Sequence, residues 1–309
     1  MSESNDGWVY REWIDARAAG RTLLQHLVAR HRHSDAAVWT NRIDDGQVRL
    51  DGVAVVADAR LRPGQRLEWH RPPWREPAVP LGFAILALDD DVVAVAKPAG
   101  LPSAPAGGFL AHTLLARVRR RFPEATPMHR LGRGTSGVML FARSERARRA
   151  LAAAWRAGAV ERTYRALAQG RLAADEIAID VPIGAAPHPV LGAVWAACRA
   201  GRPARTWARA LTTRRAGASD AASDQESVVE LRLGTGRPHQ IRIHLAAVGH
   251  PLVGDPLYGH GGVPRPGVCA LPGDGGYHLH ATRIAFPHPA SGARSVVECA
   301  PPPVLRVSA

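Results

Sequence analysis

The sequence predicts an α+β protein in two parts, a small N-terminal module and a larger domain. Patterns typical of short helices and strands occur in both parts, and a proline-rich stretch at 75–84 separates them as a stiff linker. With 309 residues, 46% of them hydrophobic, the chain can bury a large core. We therefore expect the module at 8–74 and the domain at 85–305.

The charge balance favours an anionic partner. Forty lysine and arginine residues against 27 aspartate and glutamate residues give a net charge of +13. Arginine, which supplies nearly all of this charge, donates a planar fork that suits phosphates and base edges, so nucleic acid is the first candidate. The alternative is the arginine and alanine bias of a GC-rich genome.

The cysteines and histidines give no pattern typical of a metal site. Cys198, Cys269 and Cys299 are isolated, which disfavours both a zinc ribbon and a disulfide framework. The spacing of His239, His244 and His250 fits no common zinc site. We expect no metal and no cofactor. The absence of a targeting pattern and of a long apolar stretch predicts a cytoplasmic monomer without membrane contact.

Residues 8–74 predict two helices followed by a small sheet. Leu23, Leu24, Leu27 and Val28 recur at helical spacing beside a basic side, and a second helix is expected from Val38 to Ile43. Two β-strands with a turn at Asp51–Gly52 follow at 46–56, and another strand is expected near 66–70.

The larger domain begins with a buried strand, Val92 to Ala96, which the sequence KPAG ends. Helices are expected at 113–122 and after Ser144 as N-cap, the second ending at Gly158, and 161–170 alternates like a strand. The segment 185–226 has no clear pattern. Its part at 216–226 is expected to be a solvated, mobile loop.

One glycine turn has the character of a binding site. His129 and Arg130 lead into Gly132, Gly134 and Gly137, and glycine allows close approach of a ligand or of another backbone. The spacing GxGxxG also occurs in dinucleotide sites, but there it follows a strand and opens a helix, whereas here a strand follows it. A nucleotide phosphate loop is therefore disfavoured.

The sequence HRLGRGTSG at 129–137 resembles the HRLDxxTSG signature of the RluA-type RNA pseudouridine synthases. Four further stretches match motifs of that family in the family's order: KPAG at 97–100, the sequence around Tyr164, residues 233–260 and residues 278–289. The resemblance implies a bent, mainly antiparallel sheet flanked by helices, with a cleft for a flipped uridine. It also implies that the N-terminal module is an S4-like RNA-binding module.

The resemblance further implies roles for particular residues. Tyr164 would lie against the target uracil, and Arg242 would pair with the catalytic aspartate. The partner would be structured RNA, either rRNA or tRNA, with basic helices at 117–121 and 143–149 forming its track. Contacts to RNA are expected from Lys97, His129, Arg130, Arg133, Thr135, Arg237, His239 and Gln240.

The chain departs from this family at the nucleophile, because Gly132 stands where the family has aspartate. Arg242 is then expected to lack a counter-charge, and Gly132→Asp should supply one. Three interpretations remain open: an active synthase that uses another acid such as Asp255, an inactive homologue that binds or remodels RNA, and, remotely, a small-molecule enzyme.

Overall fold

The computed structural model describes residues 4–31, 33–172, 175–215 and 225–307. The chain divides into two units, Met1–Glu76 and Pro77–Ala309. In the first unit, two helices and four strands occur, with the sheet order β1-β4-β2-β3. They are β1 (Trp8–Trp13), α1 (Leu23–Arg30), α2 (Ala36–Asp44), β2 (Val48–Leu50), β3 (Val53–Ala54) and β4 (Arg66–Arg71).

Local signals explain both helices of the first unit. Thr22 caps α1 by accepting a hydrogen bond from the Gln25 amide, while the Gln25 side chain accepts one from the Thr22 amide. Asp35 caps α2 in the same manner. Both predicted helices are present. Resemblance to an S4-like module stays a prediction.

The second unit contains three α-helices and twelve strands in its described residues. The helices are α3 (Leu114–Arg119), α4 (Glu145–Arg156) and α5 (Gln240–Ala247). The strands are β5 (Ala84–Leu88), β6 (Val92–Lys97), β7 (Thr126–Pro127), β8 (Ser136–Ala142), β9 (Glu161–Gln169), β10 (Ile177–Ile179), β11 (Ile183–His188), β12 (Gly192–Ala197), β13 (Thr206–Arg215), β14 (Gln225–Leu233), β15 (Leu279–Pro287) and β16 (Arg294–Glu298).

Ten of these strands form one sheet in the order β10-β13-β14-β9-β15-β8-β6-β5, with β16 on β15 and β7 on β8. All of its pairs are antiparallel except β15 with β8. The predicted α+β fold with a mixed, mainly antiparallel sheet is therefore confirmed.

The segment without a clear pattern, 185–226, contains ordered strands. β11 and β12 form a separate two-stranded sheet, and β13 pairs with β14. Residues 216–224 of the predicted mobile loop lie outside the described residues, whereas Gln225 and Glu226 begin β14.

Gln240, Arg242 and His244 alternate in the sequence with apolar residues, a pattern that fits a strand or the start of a helix with polar and apolar groups on opposite sides. They lie in a helix, α5, but its residues from Gln240 to Ala246 are all buried, so the expected separation of a polar and an apolar side is absent. A helix enclosed on every side has no polar face, so its polar side chains must find partners inside the protein.

The register of three neighbouring strands brings distant sequence motifs together. Gly137 of β8 lies opposite Ala281 of β15, and Ala281 lies opposite Tyr164 of β9. With strands spaced about 4.8 Å apart, Tyr164 is roughly 10 Å from the glycine turn. The β15–β9 register shifts between Ala281 and Arg283, an irregularity of the kind that often adjoins functional sites.

Glycine is required at residue 137, where β8 pairs with β15. Its φ is +114°, and a Cβ there would collide with the backbone of Ala281. Neither the conformation nor the space admits a side chain. This glycine therefore fixes how closely the glycine turn approaches β15.

In the described part of the chain, no helix is both long and apolar enough to cross a bilayer. The same residues contain no group of three or more histidine, cysteine, aspartate or glutamate side chains arranged to hold a metal ion.

We predict that Gly137→Ala destabilises the protein strongly. The backbone strain alone costs about 1–3 kcal/mol, and the collision with β15 adds to it, so the midpoint of urea unfolding should fall markedly. Gly82→Ala is the matched control, because Gly82 has an ordinary φ and nothing within 4 Å of a Cβ. Equal midpoints for the two variants would contradict the prediction.

Candidate functional site

A cavity of about 730 Å³ opens beside the start of the glycine turn. Its volume lies in the range of about 300–1,000 Å³ that is usual for small-molecule sites. Its walls come from the residues before the turn, the end of α4, the start of β9 and the loop after β14. Side chains that line it are His129, Arg130, Trp155, Glu161, Arg162, Thr163, Tyr164, Trp207, Arg232, Leu233, Thr235, Arg237 and Arg283.

The cavity is strongly cationic. Five of its lining residues are arginines, and Glu161 is its one carboxylate among the described residues. Arg283 pairs with Glu161 and Arg232 with Glu176. The other three arginines, Arg130, Arg162 and Arg237, have no carboxylate partner in the described ranges. A site with this charge favours an anionic ligand.

Aromatic rings form part of the wall. His129 stacks on Trp155 with ring centroids 5.5 Å apart, and its Nε2 accepts a hydrogen bond from the Leu140 amide at 3.1 Å. Burial, and secondarily the charge of Arg162, lower the pKa of His129 to about 3. His129 is therefore neutral at physiological pH and cannot bind phosphate as a cation.

Tyr164 lines the same cavity and is 6% exposed. Burial raises the pKa of its hydroxyl, so the ring stays neutral. Gly132 and Arg242 are absent from the lining of the cavity, and the rings that lie over Arg242 are Tyr258 and Tyr277. Tyr164 therefore lies in the wall of the cavity, and its contact with a target uracil stays a prediction.

Tyr277 lies close to residues 132 and 134. A Cβ on Gly132 would lie 3.1 Å from the Tyr277 hydroxyl oxygen, and a Cβ on Gly134 would lie 2.9 Å from the ring. Neither glycine has a positive φ. A side chain at either position would therefore crowd Tyr277, whereas the backbone conformation admits one. No local sequence pattern indicates this tyrosine, which lies 145 positions after Gly132.

Arg242 forms a buried ion pair. Its Nε and Nη2 donate to the two carboxylate oxygens of Asp255, both at 2.7 Å, and the side chains are 2% and 0% exposed. Its Nη1 donates to the Pro272 carbonyl at 2.9 Å. The guanidinium carbon lies 4.9 Å from the ring centroid of Tyr258 and 4.3 Å from that of Tyr277.

Two expectations at this position were therefore wrong. Arg242 does not lack a counter-charge, because Asp255 supplies it. Asp255 in turn is no free acid, since it accepts from Arg242 twice and from the Leu257 and Tyr258 amides. Gly132→Asp would meet the Tyr277 hydroxyl first and would find Arg242 already paired.

Comparison with known proteins identifies the fold and the family. Residues 91–247 match the family model described as RNA pseudouridylate synthase. The chain is 40% identical to a Synechocystis protein named an uncharacterized RNA pseudouridine synthase, over 86% of this chain and 89% of that one. The chain belongs to the RNA pseudouridine synthase family. RNA pseudouridine synthase 5 of Arabidopsis thaliana is 35% identical over 98% of this chain and 95% of its own length.

A solved structure agrees with this assignment. The human protein titled RNA Pseudouridylate Synthase Domain Containing 1 has a TM-score of 0.55 and 25% identity, over 75% of this chain and 89% of that one. The family resemblance inferred from the sequence is thus confirmed.

Several residues that the family motifs suggested as RNA contacts are structural. Lys97 is 1% exposed, and its Nζ donates to the carbonyls of Pro98, Leu101 and Arg133. Burial lowers the pKa of Lys97 to about 7. Because every described partner is a backbone carbonyl, Lys97 holds the glycine turn in place and does not reach RNA.

Gln240 and Thr135 are also buried and bonded internally. The Gln240 amide oxygen accepts from Thr235 and Arg237, and its nitrogen donates to Arg205 and Thr206. With all four hydrogen bonds used, Gln240 has no capacity left for RNA. Thr135, which is 4% exposed, lies 3.3 Å from the Tyr277 hydroxyl, so the prediction of direct RNA contacts was wrong for both.

The remaining residues predicted to contact RNA differ in how far their side chains are already bonded within the protein. The Tyr258 hydroxyl donates to the Trp195 carbonyl and accepts from His239 Nδ1 at 2.7 Å, and burial lowers the pKa of His239 to about 4. Arg133 is bound to Gly273 and Asp274. Arg130 is exposed at the cavity, and Arg237 lines it while donating to the Pro203 carbonyl.

The arginines of α4 are less available than the sequence predicted. Arg146 pairs with Asp91, and both Arg148 and Arg149 pair with Glu145. Paired arginines can still meet RNA, but they add little net positive charge. The arginines at 117–121 and three arginines of the cavity have no carboxylate partner in the described ranges, so the charge available for the predicted RNA track lies in these two places.

We predict that Asp255→Ala lowers the free energy of unfolding by about 3–5 kcal/mol, because it leaves the Arg242 charge buried without a partner. The double variant Asp255→Ala/Arg242→Met should be less destabilised than the sum of the two single variants. Urea unfolding of all four proteins measures the coupling. Additive effects would show that the pair is not coupled.

His129 should make the protein sensitive to mild acid. Its native pKa of about 3 lies below the ordinary value of 6.5, so the unfolded state binds the extra proton between these values. The contribution of His129 to the free energy of unfolding is complete above pH 6.5. Below that pH it decreases by roughly 1.4 kcal/mol per pH unit. His129→Asn should remove this slope between pH 6.5 and 5, as measured by urea unfolding; an unchanged slope would contradict the assignment.

Proposed function

We propose that the protein isomerises a uridine of structured RNA, either rRNA or tRNA, to pseudouridine. The observation that carries the proposal is the cavity in which Tyr164 lies among unpaired arginines. Family membership supports the same activity. We also propose that the protein acts as a monomer in the cytoplasm, where rRNA and tRNA occur.

The cavity meets the requirements of chemistry on a base within RNA. The base must leave its stack, find a flat apolar surface and keep its phosphates neutralised. Tyr164 offers the flat surface. The positive charges of Arg130, Arg162 and Arg237, which line the same cavity, can neutralise phosphates. Since the reaction rearranges one nucleoside, it requires no oxidant, reductant or second substrate.

The N-terminal unit offers a second surface for RNA. Tyr10 stacks on Trp69 at 5.0 Å, the Arg42 guanidinium lies 4.4 Å from the Trp69 ring centroid, and the Arg71 guanidinium lies 3.5 Å from that of Trp74. Burial, and next the charge of Arg71, lower the pKa of Arg42. Tyr10 is 44% exposed. An exposed aromatic residue near closely spaced arginines favours the binding of RNA through stacked bases and phosphates.

A binding protein without turnover is the second candidate. The observation that favours it is the absence of a carboxylate at residue 132, together with the full occupation of Asp255. Such a protein would use the same cavity to hold or remodel RNA, so binding alone does not distinguish the two candidates. Product formation does.

The decisive experiment measures pseudouridine. RNA from a strain that lacks the gene is incubated with the purified protein, and the modified nucleosides are located by mass spectrometry. We expect one uridine to be converted at a defined position. Tight binding to RNA without conversion of any uridine would favour the second candidate.

Tyr164→Ala should weaken RNA binding at least tenfold, because stacking on an aromatic ring contributes about 1–3 kcal/mol per base. Fluorescence anisotropy with the converted RNA measures the affinity, and urea unfolding verifies the fold. Tyr164→Phe is the control, since it keeps the aromatic ring and should bind RNA like the wild type. Equal affinities for Tyr164→Ala and the wild type would refute stacking on Tyr164.

A further inference from the structure

The loop 271–277 is anchored by three separate contacts, two with the glycine turn and one with α5. Arg133, the residue after Gly132, donates from Nε to the Gly273 carbonyl at 2.7 Å. Arg242 donates to the Pro272 carbonyl, and the Tyr277 ring lies against Gly134. The loop therefore has a defined position beside residue 132.

A fourth contact ties this loop to the buried ion pair. Gly276, with φ +112°, packs so closely on Gly254 that neither residue has room for a Cβ. Gly254 immediately precedes Asp255. The loop thus rests on the backbone beside the carboxylate that pairs with Arg242, which limits its movement.

This loop presents one carboxylate, Asp274, to the glycine turn. Its Oδ1 accepts from Arg133 Nη2 at 3.3 Å and its Oδ2 from the Leu271 amide at 2.8 Å. The side chain is 40% exposed, so lone pairs on both oxygens remain open. Arg130 at the cavity and Arg133 are three residues apart, at most roughly 10 Å along the backbone.

Two other carboxylates near the site are less suitable. Asp255 is fully buried and accepts four hydrogen bonds. Glu161 lines the cavity, but it is odd-numbered in β9 and so points to the other side of the strand from Tyr164. Its oxygens accept from Arg294 at 2.8 and 3.0 Å, which directs them away from the glycine turn.

We propose that Asp274 is the nucleophilic carboxylate of this protein, supplied by the loop 271–277 in place of a side chain at residue 132. The proposal rests on the proposed function. Arg133 holds the carboxylate at the turn through a hydrogen bond, beside Gly132, which is exposed and lacks a side chain.

The reaction balances without a co-reactant. One oxygen of Asp274 bonds to ribose C1′ while the C1′–N1 bond breaks and its electron pair stays on N1. After the uracil rotates, C5 bonds to C1′, and the C1′–O bond breaks with its pair returning to the carboxylate. C5 then loses a proton and N1 gains one.

The test compares Asp274→Asn with two matched variants, Glu161→Gln and Asp90→Asn, on the RNA that the wild type converts. Asp90 is exposed in the turn between β5 and β6 and serves as the neutral control. Asp274→Asn should lower the rate of pseudouridine formation at least about a thousandfold. Its RNA affinity should stay within about twofold of the wild type, because its amide oxygen can still accept from Arg133.

Rescue of activity by an added carboxylate distinguishes a nucleophile from a residue with a structural role. The shortened Asp274→Ala variant should regain activity with added formate, saturably, whereas formate should leave the wild-type rate unchanged. A residue that only positions Arg133 would show no such rescue.

The outcomes separate this proposal from the proposed function. Full activity in Asp274→Asn, or loss of activity in Glu161→Gln alone, would overturn the role of Asp274 while leaving the synthase intact. A wild type that converts no uridine in any RNA would overturn the proposed function, and this inference with it.

Discussion

The buried pair of Arg242 and Asp255 is the interaction on which the site depends. Two charges removed from water are stable only when their hydrogen bonds are satisfied, and here the pair is bidentate with ring faces beside it. The pair and its hydrogen-bond partners come from three segments. Arg242 lies in α5, Asp255 lies in the turn at 255–258, and the Pro272 carbonyl belongs to the loop 271–277. The pair therefore fixes three segments in one arrangement.

Because this pair is electrically complete, the glycine turn has no charge to balance. The Tyr277 hydroxyl takes the space beside residue 132, and the turn makes its ionic contact through Arg133 with Asp274. Lys97 supports the turn from beneath through the Arg133 carbonyl. A side chain at position 132 would thus meet the Tyr277 hydroxyl, a contact that the sequence alone does not reveal.

Much of the fold could be predicted from local patterns. Periodicity and capping residues located α1, α2 and α4, and family motifs located the cavity residues Tyr164 and Arg130. Local patterns failed where burial decides the outcome. Alternation at 240–244 suggested two faces, but α5 is enclosed on all sides, and a sequence motif cannot reveal whether the hydrogen bonds of a lysine or glutamine are already used inside the protein. Partners distant in the sequence, such as Tyr277 for Gly132, had no local signal at all.

The pairing of β8 with β15 has a consequence for the order in which the protein folds. Ser136 and His280 are hydrogen-bonded where these strands pair, and 144 residues separate them in the sequence. Closing so long a loop is slow compared with forming a hairpin, since the chain loses its freedom before the contact stabilises it. During synthesis, residues up to 140 leave the ribosome well before β15 exists. The glycine turn is thus completed only after β15 has been made, and a growing chain that lacks β15 has no finished site with which to capture RNA.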